Sequence, residues 1–237
     1  MRAELAWLQS GQDFPSPENA LDEPNGLLAA GGDLQPTTLI SAYRRGIFPW
    51  YSEGQPPLWW SPDPRALLLP GQVHISRSLT KLIRHRNYRV TTDRHFSRVI
   101  EACGQHRREG TWILPEISDA YKALHQLGFA HSVEVYIGDD LVGGLYGVAI
   151  GNIFCGESMF SVQTNASKVA FVTTALVLFR AGFQAIDCQL ENPHLARLGV
   201  KAVPRKTFLT LLEDGRDQGL DWPPINLAPA TLLDYLD

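Results

Sequence analysis

Two short polar stretches stand where apolar strands are expected to end. Ile186-Asp187-Cys188-Gln189 closes a run that opens with Phe183, and Cys155-Gly156-Glu157-Ser158-Met159-Phe160 closes another. Side chains alternate faces along a strand, so Asp187 and Gln189 are expected on one face and Cys188 on the other. Gly156 permits a bulge or a close backbone approach beside Glu157. Asn192 and His194 follow at the same sheet end. Carboxylates and an amide gathered at one sheet end are groups that could bind and orient a polar substrate. The spacing alone equally allows Asp187 to cap the next helix or bond a loop, and Glu157 to be a paired structural carboxylate.

The elements that would hold these groups are legible from pattern. Residues 1–65 are rich in Pro, Gly and Trp, with turn signals at Glu23-Pro24-Asn25-Gly26 and Gly31-Gly32-Asp33. Only a short helix, Thr37 to Arg45, is expected there. Ala66 to Leu69 and Tyr88 to Thr91 read as strands, and Ser76 as the N-cap of a helix to about His85. Two helical stripes follow, Phe96-Val99-Ile100-Cys103 and Ile117-Tyr121-Leu124, the second closed by Gly128. From His131 the pattern is a strand meander through Glu157 and a long helix, Ala166 to Arg180, capped by Asn165 and ended by Gly182. Phe183 to Gln189 is then a strand, Pro193 to Leu198 a short helix, Val200 to Val203 a strand and Arg205 to Glu213 a helix, before a loop-like tail at Trp222-Pro223-Pro224.

This order is α/β. It predicts a small N-terminal domain, 1–65 with 66–130 as its remainder, packed on a catalytic domain, 131–237, with a mixed sheet. Meander, long helix, strand, helix, strand is the order of the GNAT acyltransferase fold, which sets a prior for acyl transfer but does not give function. Acetyl-CoA enzymes of that fold place a Gly-rich turn before the long helix, and Phe160 to Asn165 contains no glycine, which argues against CoA.

The helix after Ser76 presents Arg77, Lys81 and Arg84 at i, i+4 and i+7, with His85 beside them and Leu79, Leu82 and Ile83 opposite. Arg86 and Arg89 extend the run, and Arg107 and Arg108 could add to it. A solvated face is the ordinary reading of such a run. In a chain of net charge −4, a stretch of one sign also suits contact with a phosphate backbone. Cys103, Cys155 and Cys188 have neither CxxC nor Cys/His spacing, so neither a zinc site nor a disulfide framework is expected. No leader is visible, and Val169 to Leu178 is too short to span a bilayer. A cytoplasmic protein is expected.

Several long motifs resemble the leucyl/phenylalanyl-tRNA–protein transferase family. They are Pro24-Asn25-Gly26-Leu27-Leu28-Ala29, Gly46-Ile47-Phe48-Pro49-Trp50, Leu58-Trp59-Trp60-Ser61-Pro62-Asp63-Pro64-Arg65, Glu109-Gly110-Thr111-Trp112-Ile113, Phe154-Cys155-Gly156-Glu157-Ser158-Met159-Phe160-Ser161 and Ile186-Asp187-Cys188-Gln189. The resemblance implies transfer of Leu or Phe, and Met less well, from tRNA to proteins beginning with Arg or Lys, which marks them for degradation, without cofactor or metal. A monomer without membrane contact is expected. Asp187 and Gln189 match the family's proposed catalytic pair, and Glu157, Asn192 and His194 match nearby active-site positions. Tyr43, Trp50, Trp112 and Tyr121 match aromatics that hold the 3′ adenosine and the aminoacyl group, with Gly156 and Ser158 on the substrate side. Leu145 and Phe154 are expected to line the apolar pocket. Leu145 stands where relatives can carry Met, and Thr174 and Leu178 where they can carry aromatics.

Overall fold

Turns and buried aromatics, more than regular structure, organise the first sixty residues. The computed structural model describes residues 5–105, 111–227, 231 and 234, so Arg107, Arg108 and the start of the 109–113 motif lie outside it. Strand β1 (Ala6–Leu8), β2 (Leu27–Gly31), helix α1 (Pro36–Tyr43), β3 (Phe48–Pro49) and β4 (Leu58–Trp60) come first. The strands form one sheet in the order β1-β2-β4-β3. Small residues, Ala29 and Ala30, let β2 be buried on both faces. Trp59 is fully buried, donates from its indole N–H to Gly31 O at 2.9 Å, and meets Phe14 edge-on at 4.7 Å.

The remaining elements are β5 (Arg65–Leu68), α2 (Arg77–His85), β6 (Tyr88–Thr92), α3 (Phe96–Gln105), α4 (Pro115–Gln126), β7 (Ala130–Ile137), β8 (Asp140–Ile150), β9 (Ile153–Ser161), α5 (Ala166–Arg180), β10 (Ala185–Gln189), α6 (Pro193–Ala196), β11 (Lys201–Val203), α7 (Arg205–Gly215) and β12 (Asn226–Leu227). They build a mixed sheet in the order β11-β5-β10-β9-β8-β7-β6-β12. The meander β7-β8-β9 is antiparallel, and α5 carries the chain from β9 to its parallel neighbour β10. β5 and β6 come from the stretch expected to complete the N-terminal region, yet both are strands of this large sheet. The tail after Trp222 adds β12 along β6 rather than remaining wholly loop.

Two apolar clusters cover the sheet. Alternate residues of β8 and β9 divide between them: Tyr146, Val148, Ile153 and Cys155 in one, Leu145 and Phe154 in the other. The first takes in α3, α4 and the small sheet, the second α2 and α5. Ser76 Oγ accepts from Leu79 N at 3.3 Å, so α2 begins at its expected cap. At α5 the expected cap is corrected. Asn165 is left-handed and its side chain makes no cap bond. Instead Ser161 Oγ, at the end of β9, accepts from Ser167 N at 3.2 Å.

The turn after α1 positions the site through Gly46. Its φ is +74°, a conformation that disfavours other residues, and a Cβ there would lie 2.7 Å from Leu209 and 2.9 Å from Phe208. Gly46→Ala is therefore expected to destabilise the fold by about 1–3 kcal/mol. The shift in the urea unfolding midpoint measures it, and an unchanged midpoint would show that the turn tolerates a side chain.

Candidate active site

Two β-bulges lie on neighbouring strands and set the direction of the polar side chains. β9 and β10 pair through Asp187↔Cys155 and no further. Next to that point the β8–β9 register jumps from Tyr146↔Ser158 to Gly147↔Gly156, which leaves Glu157 as the extra residue. In β10 the register with β5 jumps from Asp187↔Leu67 to Gln189↔Ala66, leaving Cys188 extra, and Gln189 takes φ +63°. Bulges re-aim side chains, so simple alternation fails here. Asp187 turns into the protein, whereas Cys188 and Gln189 both line a cavity. Gly156 sits beside the Glu157 bulge, and nothing crowds it, because a Cβ would come no closer than 3.8 Å, to Asp187 O.

Asp187 neither caps a helix nor reaches the cavity. It is fully buried and accepts two bonds from Arg65, Nε to Oδ1 at 2.8 Å and Nη2 to Oδ2 at 2.7 Å. Arg65 Nη1 donates to Gly46 O at 3.1 Å, and the guanidinium lies over the rings of Phe48 and Phe208, 5.0 and 4.5 Å from their centroids. Burial pulls the Arg65 pKa down, but the charge and hydrogen bonds of Asp187 outweigh it, so the group stays firmly cationic. Asp187 Oδ1 also accepts from Gln189 N at 2.9 Å, which holds the left-handed turn. Arg65 is the residue that sequence reasoning missed. The signal was available: a carboxylate inside an apolar strand requires a buried cation, and Arg65 opens another apolar run.

Glu157 and Gln189 face each other across the gap between the strands. Gln189 Nε2 donates to Glu157 Oε1 at 2.7 Å, and Tyr121 OH donates to Oε2 at 3.0 Å. A carboxylate only accepts, so the amide must turn its N–H end to Glu157, leaving the carbonyl end for a substrate donor. Tyr43 OH bonds Tyr121 OH behind them. Both tyrosines are buried behind Glu157 and are not part of the cavity lining. Burial pushes the Glu157 pKa up and the Asp187 charge adds to this. Hydrogen bonds from Tyr43, Tyr121 and Gln189 oppose them, leaving it at about 7.

The cavity measures about 1150 Å³. Trp50, Trp112, Leu145, Phe154, Gly156, Glu157, Ser158, Thr174, Gln189 and Asn192, all expected at the site, line it. Trp50 is 42% exposed and leans on Trp60 at 5.6 Å. Thr174 Oγ1 donates back to Ala170 O at 2.8 Å. Leu178 is fully buried in the core behind and is not part of the lining. Asn192 Oδ1 accepts from His194 N at 2.7 Å and caps α6, while His194 faces an adjoining recess. Burial, with the Asp187 charge, raises the Cys155 and Cys188 thiols, which removes both as thiolate nucleophiles. Among the described residues no three His, Cys, Asp or Glu side chains converge as a metal site.

Comparison with known proteins identifies the lineage. The profile of a family described as leucyl/phenylalanyl-tRNA protein transferase matches residues 67–213, and that of its N-terminal domain matches residues 32–63. The chain belongs to the leucyl/phenylalanyl-tRNA protein transferase family. Relatives carrying that name include one from Shewanella piezotolerans, 54% identical over 88% of this chain and 89% of its own length. Another, from Edwardsiella ictaluri, is 55% identical over 92% and 93%. Among solved structures, a C-terminal domain named for a lysylphosphatidylglycerol synthetase of Agrobacterium fabrum covers 81% of this chain and 60% of its own at 12% identity, with a TM-score of 0.35.

In this member of the transferase family the α2 charges are placed as follows. Arg77, Lys81, Arg84, His85 and Arg86 are exposed. Arg89, on β6, is partly buried with its guanidinium 4.6 Å from the centre of the Tyr136 ring. No described helix is long and apolar enough to cross a membrane.

Two outcomes follow from the buried groups. Removing one partner of a buried ion pair strands the other, so Asp187→Ala is expected to cost about 3–5 kcal/mol in urea unfolding. Arg65→Met combined with Asp187→Leu should recover much of that stability without recovering activity, and recovery of both would detach the pair from function. For Glu157, the folded pKa of about 7 exceeds the ordinary 4.5. Its contribution to stability is therefore full below about 4.5 and lost as pH rises through about 7. Glu157→Gln removes this dependence, so the variant should gain stability relative to the parent between about pH 5 and pH 8. A pH-independent difference would contradict the raised pKa.

Proposed function

We propose that the protein transfers leucine or phenylalanine, and methionine less well, from aminoacyl-tRNA to the α-amino group of proteins beginning with Arg or Lys, creating a degradation signal in the cytoplasm. It works as a monomer and needs no cofactor, because the aminoacyl ester is already activated. Residues from β7 onward act as a GNAT-like catalytic unit. The observation that carries this is the Gln189–Glu157 pair, an amide oriented by a carboxylate in the wall of a largely apolar cavity.

The acceptor amine, with an ordinary pKa of about 7.7–8.0, is partly neutral at physiological pH. Its nitrogen attacks the ester carbonyl carbon. The N–C bond forms, the C–O bond to ribose breaks, and the proton lost by nitrogen ends on the ribose oxygen. Gln189 Oε1 accepts from the amine and holds it in line. Ionised Glu157 keeps that amide oriented and stabilises the positive charge developing on nitrogen. Asp187 acts one step behind, through the Gln189 backbone N–H, as a positioning residue. Both Glu157 oxygens are occupied, which disfavours it as receptor for the acceptor's Arg or Lys side chain. Glu53 and Glu191, exposed at the cavity and without a hydrogen-bond or ion-pair partner among the described residues, suit that role.

Leu145, Phe154, Met159, Phe171, Ile186 and Leu195 supply apolar lining for the transferred side chain. Burying Leu or Phe there is worth roughly 1.5–3 kcal/mol. Trp50 and Trp112 offer faces for the terminal adenosine, and the exposed α2 charges suit the tRNA backbone.

The test uses labelled Leu-tRNA and Phe-tRNA with peptides beginning Arg, Lys or Ala. Transfer to the first two and not the third is expected. Gln189→Ala should lower kcat by roughly 100-fold. Arg77→Ala with Lys81→Ala should instead raise the KM for the donor and reduce its salt slope by about 2. Equal transfer to all three peptides, or normal turnover by Gln189→Ala, would overturn the assignment.

A further inference from the structure

A recess of about 370 Å³ adjoins the main cavity and shares Met159, Asn192 and Leu195 with it. Its other walls bring Ser161 at the end of β9, Ser167 in the first turn of α5, and His194 on α6 to one place. Ser167 is only 8% exposed. Its backbone N–H is taken by Ser161 Oγ, but among the described residues its own hydroxyl has no partner. That hydroxyl opens onto the recess, where it is placed to donate to a ligand. The amino end of α5 adds the positive end of a fifteen-residue helix that lacks a side-chain cap from Asn165.

Two cations stand next to recess residues in the chain, with Glu191 on the side of the main cavity. Lys168 follows Ser167, and Arg197 follows α6. Burial lowers the His194 pKa, and the charges of Lys168 and Arg197 lower it further, so both cations act at this point. A single anionic group rich in acceptor oxygens would be held.

We propose that this recess binds the phosphodiester on the 5′ side of the terminal adenosine of the donor, with Ser167 as the donor that recognises it and Lys168 as its counter-charge. The assignment rests on the aminoacyl-tRNA function proposed above and gives the donor a fixed point within the catalytic unit, separate from the α2 surface. The turn Ser161–Asn165 has no glycine, which suits one phosphate better than the pyrophosphate of CoA.

Three donors test it with an Arg-initiated peptide: phenylalanyl-adenosine, phenylalanyl-cytidylyl-adenosine with its natural phosphodiester, and the same dinucleotide with a neutral methylphosphonate link. The natural dinucleotide is expected to show kcat/KM roughly tenfold above both others, the worth of one hydrogen bond to a charged group. Ser167→Ala and Lys168→Gln should each bring that ratio toward one. Equal use of the charged and neutral dinucleotides, or variants that penalise all three donors alike, would overturn the recess assignment and leave the transferase reading standing. No transfer from any of the three, nor from intact Phe-tRNA, would overturn both.

Discussion

A guanidinium and a carboxylate sealed from solvent can persist only if each satisfies the other. Arg65 and Asp187 do so with two parallel bonds, and the rest of the site is arranged around that pair. Arg65 opens β5, and Asp187 stands in β10 before its bulge. The spare Arg65 donor reaches Gly46 O in the turn after α1, and its faces are covered by Phe48 of the small sheet and Phe208 of α7. The pair thus ties the small sheet, the large sheet and the last helix to one point. That point also fixes Gln189, since Asp187 Oδ1 accepts from its backbone N–H.

The chemistry then depends on two departures from regular strand geometry. A straight β10 would send Asp187 and Gln189 to the same face. The bulge separates them, so the charge stays inside and the amide reaches the cavity. A matching bulge in β9 brings Glu157 to meet it. Two tyrosines brace the far oxygen of Glu157, and burial raises the pKa of that carboxylate to about 7. The resulting group is an amide with a defined direction, set beside a space able to take an apolar side chain.

Much of this was legible in the sequence where local pattern decides structure. Ser76 marked the start of α2, and the apolar run between Asn165 and Gly182 gave the limits of α5, because helix starts and stops are local. The polar ends of β9 and β10 were found for the same reason: charges at the end of apolar strands are conspicuous. What failed depended on contacts distant in sequence. Arg65 and Asp187 are separated by 122 positions, so each is conspicuous as a charge in an apolar run but only the fold pairs them. Tyr43 and Tyr121 carry aromatic rings that suit stacking on a base, and only packing shows that their hydroxyls are committed to Glu157. Asn165 is a good capping residue by type, but Ser161 occupies that role from the preceding strand. Bulges leave no reliable mark on alternation, so the outward turn of Gln189 required the fold.

The central claim is that the bidentate geometry of Arg65, and not merely its charge, sets the position of Gln189. Lysine keeps the charge and cannot reproduce the fork. The most direct measurement is therefore the single-turnover rate of aminoacyl transfer in Arg65→Lys at saturating Phe-tRNA and peptide. The rate constant should fall by about 100-fold while the Kd for Phe-tRNA stays close to that of the parent protein. A rate constant equal to the parent's, or a loss found entirely in Kd, would contradict it.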